Sequence, residues 1–185
     1  YGYNIPANMY AAVVLDYMVE IADKVWQDEV FHAGAAALGR DIRAGIEKYG
    51  TVEDAEFGKM YVYEADGFGH QLLMDDAGVP GLLSAPYYGY CDKNDPIYRS
   101  TRRFALSPRN PFFFAGKALS GLGSPHTKPD FVWPMGIIMQ GFTVQPEESL
   151  RTLIEMIAHA DDGTGYVHES VHKDDSSRYT RPWFA

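Results

Sequence analysis

The sequence is short of several things, and each shortage removes a class of function. It has one cysteine, Cys91, so no disulfide can close within the chain and folding needs no oxidising compartment. Positive charge is scarce: 16 Lys and Arg stand against 25 Asp and Glu, a formal net charge of −9, with no basic stripe. Nucleic acid and anionic membrane surfaces are therefore not expected partners, because both reward clustered cations. No stretch approaches eighteen consecutive apolar residues, so no bilayer span is expected. There is no Gly-x-Ser-x-Gly elbow, and Cys91 lies among tyrosines with no nearby histidine, which leaves nucleophilic catalysis without support. Gly67-Phe68-Gly69 and Gly121-Leu122-Gly123 lack the third glycine and following helix of a dinucleotide site, so no nucleotide cofactor is expected.

What is present is enough for one domain spanning 1–185, with 46% apolar residues to build a core. Aromatics reach 14%, as 13 Tyr, 10 Phe and 3 Trp, which suits either a surface that stacks sugar rings or an aromatic-rich core. The chain opens on Tyr1 and stops on the apolar run Trp183-Phe184-Ala185, so both ends read as cuts. No signal peptide is visible; with the single cysteine this leans slightly to the cytoplasm, and assembly state is not encoded legibly.

The segment IPANMYAAVVLDYMVEIADKVW predicts a helix, with Pro6 in its first turn and apolar residues recurring at helical spacing. DEVFHAGAAALGRDIRAGIEKYG predicts a second, whose Ala and Gly allow close approach and whose Gly50 is a stop. FGKMYVYEADGFG alternates like a short strand or hairpin, with Asp66-Gly67 as a turn. Helical patterns return at about 78–90, 95–106, 133–144 and 146–160, the last opened by Pro146-Glu147-Glu148. Between them lie long irregular stretches at 64–80, 107–132 and 161–182, rich in Gly, Pro and aromatics, which are expected to be ordered and functional. Paired helices with elaborate connections predict antiparallel helical hairpins carrying a site built from loops at one end.

Within the last stretch, His168-Glu169-Ser170-Val171-His172 spells H-E-x-x-H. A zinc peptidase needs this pattern on a helix, where residues i and i+4 face the same way. Here Gly163 and Gly165 precede it and a Lys-Asp-Asp-Ser-Ser run follows; the extended metal motif would want Gly and His where the chain has Asp175 and Arg178. Three readings stay open from the motif: a zinc site, a structural role for Glu169 in capping or pairing with an arginine, and metal-free catalysis or sugar binding. The crowd of His168, His172, Asp174, Asp175 and Arg181 in one Gly-hinged segment suits the last, with Glu169 taking a proton from water.

Four stretches carry a more specific signal: IPANMYAAVVL, YEADGFGHQLLMDDAGVPGLLSAPYYGY, DPIYRSTRRFALSPRNPFFFAGKALSGLGSPHTKPDFVWPMGIIMQG and GTGYVHESVHKDDSSRYTRPWFA. In this order, covering nearly the whole chain, they resemble the exo-α-1,6-mannosidases of glycoside hydrolase family 125. The resemblance implies a mainly α fold, an (α/α)6 barrel or six-hairpin toroid, of which this chain is a partial, C-terminal portion with long loops and a short β-hairpin. Twelve helices of about 12 residues with connections of about 6 need roughly 215 residues, more than are here. The family removes terminal α-1,6-linked mannose with inversion and without a metal, so the resemblance implies no cofactor and an α-mannoside oligosaccharide as partner. It makes Glu169 the general base. It puts the general acid in an Arg-Pro-Ser-Asp-Asp stretch just ahead of the segment matching Ile5-Pro6-Ala7-Asn8, outside this chain, so that the chain by itself is expected to be inactive.

Inversion needs two carboxyls about 6.5–9.5 Å apart with water between the base and the anomeric carbon. Asp66 is the best acid inside this chain, with sugar binding or a turn role as its other readings. Asp75 and Asp76 are candidates to accept hydrogen bonds from mannose hydroxyls or to cap the next helix. His126 and Trp133 share a Pro-punctuated loop and are read as a hydroxyl partner and a stacking platform, against a buried Trp at a helix start. His168, His172 and Arg181 complete the candidate sugar-binding set. Arg102 and Arg103 either orient site carboxylates or divide between a solvated face and an acid partner. A carbohydrate-binding fragment without catalysis is the further alternative.

Overall fold

The computed structural model describes residues 2–183; Tyr1, Phe184 and Ala185, and with them most of the apolar C-terminal run, lie outside the described residues. Asn4 ends a short strand, β1 (Tyr3–Asn4), and its side chain accepts the Ala7 N–H, capping α1 (Ile5–Ile21) with Pro6 in the first turn. α1 runs on through a π-helical turn at Ala22–Trp26 and stops at Gln27, whose φ is 52°. Asp28 then caps α2 (Glu29–Tyr49) by accepting the Phe31 N–H, and Gly50 ends it. The expected hairpin forms, with Ala35 and Gly39 buried where α2 meets α1. By length and hydropathy the 5–26 run is apolar enough to cross a membrane. A search for unbroken apolar runs passes over it because Asp16 and Glu20 interrupt the pattern. Here Met9, Ala12 and Val13 are buried in the protein core, while Tyr17 and Ile21 are exposed.

β2 (Thr51–Asp54) and β3 (Gly58–Tyr61) form an antiparallel hairpin, so the expected strand finds its partner in residues just upstream. β4 (Glu64–Ala65) bridges β1 and β5 (Gln71–Leu72) in a second small sheet. The expected helix at 78–90 does not exist. Pro80, Gly81, Pro86 and Gly89 break it into successive turns, closed by bonds such as Ala85 N–H to Leu82 O at 3.2 Å and Tyr87 N–H to Ser84 O at 2.9 Å. α3 (Pro96–Ala105) follows, capped by Asp95.

The stretch expected to be irregular at 107–132 holds a hairpin, β6 (Phe113–Ala115) with β7 (Ser120–Leu122), and then β8 (Phe131–Val132). α4 (Pro134–Phe142) and α5 (Leu150–His159) form a second helical pair. α5 begins later than predicted, behind Ser149, because Glu148 is engaged elsewhere: it accepts from Gln145 N and pairs with Arg102. The final expected loop is also a ribbon, β9 (Ser170–His172) with β10 (Asp175–Thr180), and β9 pairs on its other side with β8. The fold is thus mainly helical, with four small antiparallel sheets among the described residues.

Four apolar clusters among the described residues hold this together, the smallest being Phe57, Met60 and Phe104 between β3 and α3. Ile5, Met9, Ile46, Val62, Leu82 and Tyr98 form the first under α1, α2 and α3. Leu119, Val132, Ile137, Leu153 and Val171 form another, which seats the β8–β9–β10 sheet on α4 and α5. Ala77, Leu83, Leu122 and Trp133 form a third, to which the 78–90 turns and the start of α4 both contribute. At about 1.5–3 kcal/mol for each large side chain fully buried, Val171 alone is a substantial anchor for the strand that follows Glu169. Arg102, 3% exposed, ties α3 to the α4–α5 connection through Glu148, Thr143 and the Gln140 carbonyl. Arg103 donates to the Phe57 carbonyl. Both arginines of the pair therefore serve the fold.

Candidate active site

The H-E-x-x-H residues lie at and before a strand, not on a helix, so His168 and His172 do not share a helical face. Among the described residues no three His, Cys, Asp or Glu side chains come together as metal ligands do. Glu169 sits immediately ahead of β9. Its N–H donates to the carbonyls of Thr180 at 3.2 Å and Arg181 at 3.4 Å, which fixes it at the end of the β9–β10 ribbon. The β10 register slips between Asp175 and Tyr179, and Arg178, within this irregular stretch, lines the same cleft as Glu169.

The ribbon is clamped from outside. The carbonyl of Lys173, at its tip, accepts the N–H groups of Ala118 and Leu119 at 2.8 and 2.9 Å, and Asp174 accepts the Lys117 N–H at 2.9 Å. Gly116 lies so close to Lys173 that a Cβ there would overlap its backbone, and a Cβ on Gly123 would overlap the Phe131 carbonyl. Asp174 is thereby used to hold the ribbon to the β6–β7 turn, and Asp175 is used within the ribbon, accepting from Ser177.

Glu169 is 8% exposed and opens on a cleft of about 610 Å³ lined by His126, Lys128, Phe131, Arg178, Tyr179 and Thr180. It is the one acid among the described residues lining that cleft. Its Oε2 accepts the Thr180 hydroxyl at 3.0 Å, and its Oε1 lies 3.1 Å from an Arg181 guanidinium nitrogen. Arg181 is held at φ 44°, in the left-handed region that non-glycine residues rarely occupy. A buried carboxylate with donor side chains on both oxygens, open to a basic, aromatic-walled cleft, can take a proton from water without a metal.

The other predicted residues divide clearly. His126 is exposed and lines the Glu169 cleft, and Arg181 touches Glu169 itself. His168 is 1% exposed, so it cannot reach a sugar here. Its ring stacks on Tyr179 at 3.8 Å and its Nε2 donates to the Asp161 carbonyl at 3.1 Å. His172 packs edge-on against Phe131, and its Nδ1 accepts the Asp174 N–H. Trp133 is 7% exposed and its indole donates to Thr127 Oγ1, so it is a core residue at the start of α4 and not an open platform.

The three candidate aspartates lie outside the Glu169 cleft. Asp66 lines a separate cavity of about 530 Å³ with Tyr3, Ile5, Asn8, Tyr49 and Phe68. Its carboxylate accepts the N–H groups of Phe68 and His70 and contacts the His70 ring at 2.6 Å. These bonds, the Phe68 amide first, hold its pKa below the ordinary carboxylate value, which counts against a proton donor. Asp75 is fully buried and accepts Leu82 N–H and Leu83 N–H at 2.9 and 2.8 Å, so it caps the turns at 81–83. Burial pushes its pKa up to about 7. Asp76 accepts from Gly78 N–H and the Ser124 hydroxyl, both within the fold. Mannose hydroxyls find no free acceptor on Asp75.

Sequence reasoning missed Thr180, Arg178, Tyr179, Lys128 and Phe131 as neighbours of Glu169. The alternating run Ser177-Arg178-Tyr179-Thr180, after a Lys-Asp turn, was the available signal.

Residues 1–185 match the family model described as metal-independent alpha-mannosidase (GH125). The chain is 39% identical over 184 residues to the Meiotically up-regulated gene 157 protein of Schizosaccharomyces pombe (strain 972 / ATCC 24843), which takes in 99% of this chain and 36% of that protein. It superposes with a TM-score of 0.95 and 41% identity on a Streptococcus pneumoniae structure, covering 100% of this chain and 44% of that one. That structure is described as a non-productive substrate complex with alpha-1,6-mannobiose, from a family of metal-independent alpha mannosidases linked to the processing of N-linked glycans. The chain therefore spans less than half the length of either relative.

Proposed function

Because this chain belongs to the metal-independent α-mannosidases of glycoside hydrolase family 125, we propose that it carries the general-base half of an inverting α-1,6-mannosidase site. The observation that carries the reading is Glu169: a carboxylate 8% exposed, held by Thr180 and Arg181, and facing a cleft with no other lining acid among the described residues. In this reaction Glu169 takes a proton from water as the water oxygen bonds the anomeric carbon. The bond to the departing glycosidic oxygen breaks with its electron pair, and a second carboxyl protonates that oxygen. Asp66 lines a different cavity and is held as an anion, so the reading places the acid in the part of the protein outside this chain. The chain then forms part of an (α/α)6 barrel, and its substrate is a terminal mannose of an α-1,6-linked, N-glycan-type oligosaccharide.

His126, Lys128 and Arg178 are hydroxyl partners in this site, with Phe131 and Tyr179 giving apolar ring faces against which a pyranose can lie. No step of this scheme needs a Lewis acid, because one carboxylate takes the water proton and the second carboxyl protonates the leaving oxygen. The test is the full-length protein with α-1,6-mannobiose, followed by proton NMR from the first turnovers. Mannose released first as the β-anomer, at the same rate with and without a chelator, is the expected result. An α-anomer, or activity abolished by chelation and restored by zinc, would overturn the mechanism.

A further inference from the structure

The two oxygens of Glu169 have unequal surroundings. Oε2 accepts the Thr180 hydroxyl, and behind Thr180 stands Ser170, fully buried, with its Oγ 2.7 Å from Thr180 Oγ1. Proton counting sets the direction of both bonds. A threonine hydroxyl has one proton and two lone pairs, and a carboxylate oxygen can only accept. The Thr180 proton therefore lies towards Glu169, and Ser170 donates to the oxygen of Thr180. Ser170 and Thr180 are opposed in the β9–β10 register, so the relay is built into the ribbon. The His168 ring stacks on Tyr179, which ties together the residues that immediately precede Glu169 and Thr180. Oε1, by contrast, has Arg181 as its one partner among the described residues, with a side chain that is 62% exposed.

From this geometry we infer that Thr180, backed by Ser170, is a positioning residue that holds Oε2 and leaves Oε1 as the oxygen that receives the proton. The inference rests on the reading of Glu169 as general base. An ion pair made by so exposed a guanidinium is weak and labile, so Arg181 yields Oε1 to water. When water attacks, a lone pair of its oxygen forms the new bond to the anomeric carbon as the bond to the departing glycosidic oxygen breaks, and the water proton passes to a lone pair of Oε1, leaving the O–H bonding pair on the water oxygen. Oε2 keeps its bond from Thr180 throughout. Thr180 thus acts through Glu169 by stopping rotation of the carboxylate, and contributes to orientation rather than to substrate affinity.

The experiment measures kcat and KM of the full-length protein on α-1,6-mannobiose for Thr180→Val, Thr180→Ser, Ser170→Ala and Glu169→Gln. Thr180→Val, which keeps the shape and removes the donor, is expected to lower kcat by about tenfold to a hundredfold with KM within about twofold. Thr180→Ser restores the donor and is expected to stay within about threefold of the parent, and Ser170→Ala to lose severalfold in kcat. A Thr180→Val protein with parental kcat, or serine and valine variants equally impaired, overturns the inference. If Thr180→Val does not fold, a Ser170→Ala protein with parental kcat overturns it instead. Failure of the underlying reading looks different: Glu169→Gln would keep its activity, or the parent would not release mannose, and the inference would fall with it.

Discussion

Asp66 and Glu169 are both carboxylates in cavities of similar size, yet their surroundings assign them different work. The Asp66 carboxylate is bonded by its own turn, through the amides of residues two and four positions later. Glu169 is bonded by side chains across a strand pair, eleven and twelve positions away. A carboxylate held by local amides needs only a turn sequence and gives that turn its stability. One held by distant side chains requires the surrounding fold to bring its partners in, and it remains open to the cleft. Counting acids in a sequence cannot separate these cases; tracing what satisfies each oxygen can.

The largest predicted effect on stability tests how rigid the Glu169 surroundings are. Gly123→Ala puts a Cβ into overlap with the Phe131 carbonyl and about 2.5 Å from the Phe114 ring beside β8, so something must shift. It should destabilise the full-length protein by about 3 kcal/mol in denaturant titrations. Parental stability would show that the β8–β9–β10 sheet has slack, and the contrast with Asp66 would lose its basis.

A smaller effect is expected at Asp66. Its folded pKa lies below the unfolded value, so its contribution to stability is present above the ordinary aspartate range and is lost as pH falls through the folded pKa. Asp66→Ala should therefore lower the melting temperature at neutral pH, and the difference from the parent should vanish in strong acid. A difference that persists in acid would mean that the side chain acts by packing and not by charge.

The smallest effect belongs to α2. Gly34 has open space around its Cβ position and ordinary helical φ, so Gly34→Ala should stabilise by about 0.5–1 kcal/mol. A loss of stability would mean that this part of the helix surface is covered in the full-length protein.

Most helices were legible because their ends are marked locally: Asn4, Asp28 and Asp95 each cap with their own side chains, and Pro6 and Pro96 sit where proline fits. The 78–90 error has the opposite cause. Its apolar spacing mimics a helix, but Asp75 caps turns in which the prolines and glycines fix the path. β3 was legible from its alternating residues, but the shorter strands were not, because two or three residues become a strand only when a distant partner pairs with them, as β8 does with β9. The site followed the same division. Glu169 stood out by its neighbours in sequence and by family resemblance. Thr180 did not, since its role exists only through the ribbon. Asp75 and Trp133 look like ligand-binding residues in sequence and are used by the core, because burial is a property of the fold.

The most direct measurement compares Glu169→Gln with Asp66→Asn in the full-length protein, as kcat on α-1,6-mannobiose in one assay. Removing the base should cost about a hundredfold to ten-thousandfold, while Asp66→Asn, which keeps an acceptor for the turn amides, should stay within about tenfold of the parent. Substantial turnover by Glu169→Gln, or a deeper loss at Asp66 than at Glu169, would contradict the assignment of Glu169 as the proton acceptor.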